Sequence, residues 1–101
     1  MEKRYCMPKL KLRVESALQG YLTDELTDEE FKDNIKTILN DFEGKNLLHQ
    51  NIGQLIWRME KENPNKKNKF EKIWILLDQV SPRIREDFDR RINKGAAQRD
   101  I

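Results

Sequence analysis

The chain has 101 residues, 37% of them hydrophobic and 38% charged, with a formal net charge of +2. This length fits one ordinary domain, and a disordered chain would carry fewer aromatic residues and a larger net charge. The longest apolar run, from Ile73 to Leu77, is far too short to span a membrane. No apolar leader follows the basic start, and the single cysteine, Cys6, allows no internal disulfide. We therefore expect a soluble, cytoplasmic protein.

The first predicted helix covers residues 8–21. Pro8 suits a first helical turn, because the N–H group that proline lacks would have no partner there. After it, apolar residues recur at three- and four-residue steps, which is the pattern of an amphipathic helix. They are Leu10, Val14, Ala17, Leu18, Tyr21 and Leu22. Residues 1–7 are expected to form a flexible N-terminus.

The second predicted helix, at 27–43, has the strongest local signals. Thr27 and Glu30 have the spacing of a capping box, in which each side chain accepts a hydrogen bond from the other residue's backbone N–H. Gly44 fits the residue just past the helix end. The inward stripe consists of Phe31, Ile35, Ile38, Leu39 and Phe42. Such a stripe would turn the many carboxylates of this segment toward solvent.

The rest of the chain also has helical periodicity. The remaining segments are helix three at 46–62, a polar loop at 63–68, helix four from about Phe70 to Val80, helix five at 82–93, and a disordered tail at 94–101. Ser81 and Pro82 fit an N-cap and first helical position, so we favour a separate fifth helix over one kinked helix. No segment alternates like a strand. The predicted fold is therefore all-α, an antiparallel bundle of four to five helices in one domain, 8–93.

No residue pattern predicts an enzyme. The only histidine, His49, and the only cysteine, Cys6, have no motif around them, so neither a nucleophilic triad nor a zinc site is expected. The acidic stretch at 24–30 lacks the glycine that a calcium loop requires. The four glycines are scattered and form no phosphate loop. We expect no catalytic residue, no metal and no cofactor.

Charge is unevenly distributed along the chain. Residues 24–43 contain eight acidic side chains against two lysines, which predicts an acidic outer face on the second helix. The first hypothesis is therefore a non-enzymatic protein-binding module that docks on a basic protein. Its predicted contacts are Asp24, Glu25, Asp28, Glu29 and Asp33, with Trp57 as either a core-edge residue or an exposed anchor. The hypothesis requires that these carboxylates are not neutralised by the chain's own lysines and arginines.

Basic residues give an alternative. They cluster at the loop after helix three and on the last helix, where they would contact phosphates of a nucleic acid. The predicted contacts are Lys66, Lys67, Lys69, Arg83, Arg90 and Arg91. In this case the chain would be a small nucleic-acid-binding or transcription-regulatory protein. The sequence leaves open which charged face is functional, and it leaves the oligomeric state open.

The segment from Leu26 to Phe31, Leu-Thr-Asp-Glu-Glu-Phe, opens an acidic helix in a small helical protein. In this it resembles the small helical bacterial immunity proteins, which guard against nuclease bacteriocins and contact-dependent toxins. The resemblance implies a stoichiometric inhibitor whose acidic face covers a basic site on a toxin.

Overall fold

A computed structural model describes the backbone of residues 7–100 and the side chains of residues 8–91. Within that range the chain forms five α-helices and one short 3-10 turn, with no strand. The helices are α1 (Met7–Leu22), α2 (Asp28–Asp41), α3 (Leu48–Glu62), α4 (Lys67–Val80) and α5 (Arg83–Asp100), and the 3-10 turn is Pro64–Lys66. The predicted all-α bundle is confirmed.

Helix boundaries depart from the sequence prediction at a few places. Helix α3 begins at Leu48 because Leu47 has a φ of 60°, which is left-handed and not helical. The polar loop after α3 is shorter than expected, because the 3-10 turn leads directly into α4. Ser81 is extended, with φ −160° and ψ 104°, so α4 and α5 are separate helices as predicted. Helix α5 continues to Asp100, past residue 93, where the sequence pattern ends it. Of the N-terminal segment expected to be flexible, residues 1–6 lie outside the described range.

The helices form a closed ring. Helix α1 packs against α2 and α3, α2 packs against α4, and α5 packs against both α3 and α4. The most extensive contact is between α3 and α5. Consequently α2 has its main contacts with α1 and α4, whereas α3 and α5 form the other side of the bundle.

The core confirms the inward stripes predicted from periodicity. It includes the fully buried side chains of Leu10, Phe31, Ile52, Phe70 and Ile84, one from each helix. Burying a side chain of this size contributes about 1.5–3 kcal/mol. No charged or polar residue is buried among the described side chains. All the charge of the described part is therefore displayed on or near the surface, on helices fixed by this core.

A glycine sets the close approach of α3 to α5. A Cβ atom on Gly53 would lie 2.7 Å from Phe88 Cβ and 3.3 Å from the backbone oxygen of Ile84. Any larger residue would push the two helices apart, because interiors are close-packed. Gly53 thus fixes the spacing on which the surface between α3 and α5 depends.

Candidate functional site

The start of α2 is built by the predicted capping box. The Glu30 backbone N–H donates to Thr27 Oγ1 at 3.1 Å, and the Thr27 backbone N–H donates to Glu30 Oε1 at 2.9 Å. Opposite the solvent face, Phe31 and Ile35 are fully buried. The carboxylate of Glu30 is therefore committed to the cap, and the rest of the helix surface has a fixed orientation.

Two of the predicted contact residues face α4 and are paired with its lysines. Asp24 forms a hydrogen-bonded ion pair with Lys69. Asp28 accepts a hydrogen bond from the Tyr21 hydroxyl at 2.7 Å and lies 3.3 Å from Lys72 Nζ. The hydrogen bond from Lys69 lowers the pKa of Asp24, and the one from Tyr21 lowers the pKa of Asp28.

Burial, together with the hydrogen bond to Asp28, raises the pKa of Tyr21 to about 12. The ring of Tyr21 is also covered by Lys69, whose Nζ lies 5.2 Å from the ring centroid. This group of residues joins α1, α2 and α4. It contributes to the packing of those three helices, and both of its acids already have a lysine partner on α4.

The other acids of the predicted contact set have no ion pair with the described lysines of α4. Glu29 is exposed and lies 3.1 Å from Lys32, its neighbour on the same helix. Glu25 and Asp33 are exposed and have no ion pair within the described part of the chain. We call Glu25, Glu29 and Asp33 the outer acidic face. The predicted surface of five carboxylates is thus reduced to three, of which one has a local lysine partner.

Trp57 is not part of that surface. Its indole is 38% exposed, and its ring centroid lies 6.0 Å from that of Phe88 on α5. Lys61 Nζ lies 4.9 Å from the centroid of the same ring. The side chain is therefore a core-edge residue with part of its ring in solvent, on the α3–α5 side of the bundle. The structure does not bring it together with the acids of α2.

A concave surface lies between the start of α3 and α5. The chain before α3 turns through Gly44 and Leu47, whose φ angles are 85° and 60°. This turn places residues 44–50 opposite α5 and leaves a cleft of about 830 Å³. Its lining residues are Gly44, Lys45, Asn46, Leu47, Leu48, His49, Gln50, Arg83, Asp87, Arg90 and Arg91. We call this the basic cleft, because its charged lining consists of one lysine and three arginines against one aspartate.

Asp87 organises part of the basic cleft. Its carboxylate lies 3.5 Å from Arg83 Nε and 3.2 Å from Arg90 Nη1. Only 17% of its side chain is exposed, compared with 64% for Arg83 and 71% for Arg90. Burial, followed by the charge of Arg83, lowers the pKa of His49, which favours its neutral imidazole. Neither Lys45 nor Arg91 has an ion pair among the described residues.

The six basic residues of the nucleic-acid hypothesis are divided between two places. Arg83, Arg90 and Arg91 line the basic cleft. Lys66 and Lys67 lie at the start of α4, where Lys67 borders a groove beside Trp57, and Lys69 is paired with Asp24. Helix α4 has 14 residues. That length places Lys67 and Arg83 at opposite ends of α4, about 21 Å apart along its axis, and none of the three lysines lines the basic cleft.

Sequence reasoning missed Lys45 and His49, which complete the basic cleft. Both follow Gly44, which was predicted to end α2, and a glycine at a helix end indicates that the chain reverses there. That signal placed a turn before helix three. It did not reveal that the turn meets the arginines of α5, because that contact depends on tertiary packing.

Comparisons with known proteins return no relative. No protein-family model matches the chain, and neither the curated proteins nor the solved structures contain a match. Within the described range, no three acidic, histidine or cysteine side chains are grouped to hold a metal ion. The described helices also include none with the length and apolar character needed to cross a membrane. A functional proposal therefore depends on the two charged surfaces.

Proposed function

We propose that this chain is a non-enzymatic protein-binding module that docks on a basic partner through the outer acidic face. The observation that supports this most directly is the placement of Asp33. It lies beyond the first turn of α2, where the helix dipole no longer favours a negative charge, and four residues from Glu29, a spacing at which like charges destabilise a helix. Asp33 is exposed and has no ion pair among the described residues, so its carboxylate is available to another molecule. A basic partner would supply the opposite charge.

The intrachain ion pairs of α2 limit the docking surface without removing it. The pairs of Asp24 and Asp28 lie at the border with α4, and the outer acidic face lies beyond them. In the pair of Glu29 with Lys32, the side chain of Glu29 is 78% exposed, whereas that of Lys32 is 18% exposed and donates to Gln79 of α4. Glu29 therefore keeps most of its surface in solvent. A lysine or arginine of a partner can bind it there while Lys32 keeps its contact with Gln79.

The form of α2 suits an inhibitor that covers a basic surface of a toxin or enzyme. The capping box and the buried stripe fix the helix before a partner arrives, so docking orders few additional groups. Complementary charge would also speed the encounter. This is the mode of action that the resemblance to immunity proteins implies, and it extends the proposal from a binding module to a stoichiometric inhibitor.

Charge reversal tests the proposal. The test variant is Glu25→Lys, Glu29→Lys and Asp33→Lys together, and the matched control reverses three exposed acids elsewhere, Glu43, Glu62 and Glu71. Both variants change the net charge equally. We expect the parent and the control to capture the same partner from a lysate at equal yield, and the test variant to lose it. Retention by the test variant, or equal loss in both, would contradict docking through α2.

Nucleic-acid binding is the second candidate, and the convergence of three arginines in the basic cleft favours it. Phosphate contacts made by arginine and lysine release counterions, so this function requires an affinity that falls steeply with salt. A gel-shift titration with short duplex DNA and RNA at low and physiological salt measures it. Absence of a shift at low salt would exclude nucleic-acid binding. It would not bear on docking through the outer acidic face.

A further inference from the structure

We infer that the basic cleft is a binding site for a phosphate group. The inference does not depend on docking through α2, because the cleft lies on the α3–α5 side of the bundle. It adds to the nucleic-acid candidate by naming the chemical group and the side chains that would hold it.

The shape of the cleft admits a ligand larger than an ion. Its volume of about 830 Å³ is roughly twice that of the other described concavities, which measure 360, 380 and 400 Å³. One wall consists of residues 44–50, which are the turn before α3 and the first residues of α3. The other wall is α5. Both walls are attached to the core, since Leu48 and Ile84 are buried. The cleft is therefore built by the fold and is not a gap between loose loops.

The charge of the cleft is strongly positive. Lys45, Arg83, Arg90 and Arg91 line it, Asp87 is the one acid among its described lining residues, and burial lowers the pKa of His49. Because the cations outnumber the acid in this described lining, the cleft favours an anion over a cation. A phosphate with two negative charges offsets this excess better than a single carboxylate does.

Asp87 contacts two of the arginines and leaves most of their N–H donors unused. It engages Nε of Arg83 and Nη1 of Arg90, and a guanidinium has five N–H donors in all. Both guanidiniums therefore retain donors for an oxyanion while their positions are restricted. The side chains of Arg91 and Lys45 have no ion-pair partner among the described residues, so all of their N–H donors are available. Planar, forked donors of this kind match phosphate oxygens, which is the usual reason for arginine in such sites.

The chain contains its own reporter for this site. His49 is the only histidine, so its imidazole C2 proton gives a single assignable NMR signal, and His49 lines the basic cleft. The probe is inorganic phosphate, added to the full chain against sodium chloride at matched ionic strength. We expect a saturable shift of this signal, together with backbone amide shifts confined to residues 45–50 and 83–91. We also expect the pKa of His49 to rise, because a bound anion favours the imidazolium.

Paired substitutions inside and outside the basic cleft test where phosphate binds. Arg90→Ala with Arg91→Ala removes two exposed cations of the cleft, and Lys66→Ala with Lys67→Ala removes two exposed cations outside it. The first pair should weaken phosphate binding by about tenfold or more, since charge-assisted hydrogen bonds are lost. The second pair should leave it unchanged. Equal loss in both pairs, or no saturation by about 10 mM phosphate, would overturn the inference.

A competition experiment identifies the source of the phosphate. A short duplex oligonucleotide, DNA or RNA as in the gel-shift titration, is added to the phosphate-bound chain while the His49 signal is followed. Displacement of phosphate supports the inference and assigns the site to a nucleic-acid backbone. If phosphate binds as expected and the oligonucleotide fails to displace it, the inference stands for phosphate groups of smaller molecules, and the nucleic-acid candidate fails alone.

Discussion

The two charged regions of this bundle differ in how many of their charged side chains are paired with opposite charges of the same chain. On the α2 side, lysines of α4 meet Asp24 and Asp28, so much of the acidity visible in the sequence is neutralised internally. On the α3–α5 side, Asp87 is the one acid among the described residues that line the basic cleft. The comparison shows that the charge of a sequence segment is a poor guide to the charge of a surface, because tertiary packing decides which charges are paired.

The largest expected effect comes from removing the anchor of α2. Phe31 is fully buried, and its ring centroid lies 5.1 Å from that of Tyr21. Phe31→Ala should lower the free energy of unfolding by about 3–5 kcal/mol, because it leaves a cavity between α1 and α2. Urea unfolding measures the loss.

The same variant tests whether the two regions are separable. At a temperature where Phe31→Ala remains folded, the His49 signal and its response to phosphate should match those of the parent. A changed response would show that the basic cleft depends on the α1–α2 packing. A loss below about 1 kcal/mol would show that Phe31 is not the anchor that its burial indicates.

Much of the fold was predictable because its signals are local. The capping box at Thr27, the separate helix after Ser81 and the inward stripe of α2 each depend on residues a few positions apart. The departures arise where a backbone angle or a contact outweighs the pattern. Leu47 adopts a left-handed φ that no propensity assigns to leucine, and this delays the start of α3.

The candidate sites were less predictable because they depend on distant residues. Asp24 meets Lys69, 45 positions along the chain, and no periodicity reveals such a pair. The arginines of α5 were recognised, whereas Lys45 and His49 join them only through packing of α3 against α5. The place of Trp57 beside the helix-three stripe and its residue type allow either a core-edge position or an exposed anchor, and the ring of helices places it on the side away from α2.

The next largest effect is expected from a substitution between α3 and α5. Gly53→Ala places a methyl group where Phe88 Cβ lies 2.7 Å away, so α3 and α5 must separate. We expect a loss of about 1–3 kcal/mol in the free energy of unfolding, and weaker phosphate binding, because the cleft walls belong to these two helices. Gln54→Ala, one residue along and only partly buried, should change stability by less than about 0.5 kcal/mol. Equal effects of the two substitutions would contradict the close approach.

A smaller effect tests the start of α2. Thr27→Ala removes the hydroxyl that accepts from Glu30 N–H and should cost about 1 kcal/mol. Thr37→Ala is the matched control, because Thr37 lies within α2 and its hydroxyl donates to the backbone oxygen of Asp33. Thermal unfolding of both variants gives the comparison. If Thr37→Ala costs as much as Thr27→Ala, the loss reflects threonine in general and not the cap.

The smallest expected effect distinguishes Asp28, an acid of α2 that is paired within the chain, from Asp33, an acid of α2 that has no ion pair in the described range. The pKa of Asp28 is lowered from 3.8 in the folded chain, so the folded state takes up a proton less readily than the unfolded state. The stabilisation from Asp28 is therefore present above pH 3.8 and is lost as the pH falls through its lowered folded pKa. Asp28→Asn should make the fall in unfolding temperature below that pH shallower than in the parent. Asp33→Asn, which removes an acid with no ion pair in the described range, should keep the parental slope. Identical slopes for the parent and Asp28→Asn would mean that the contacts with Tyr21 and Lys72 do not persist in solution, and the acids of α2 would then form the wider docking face that the sequence predicts.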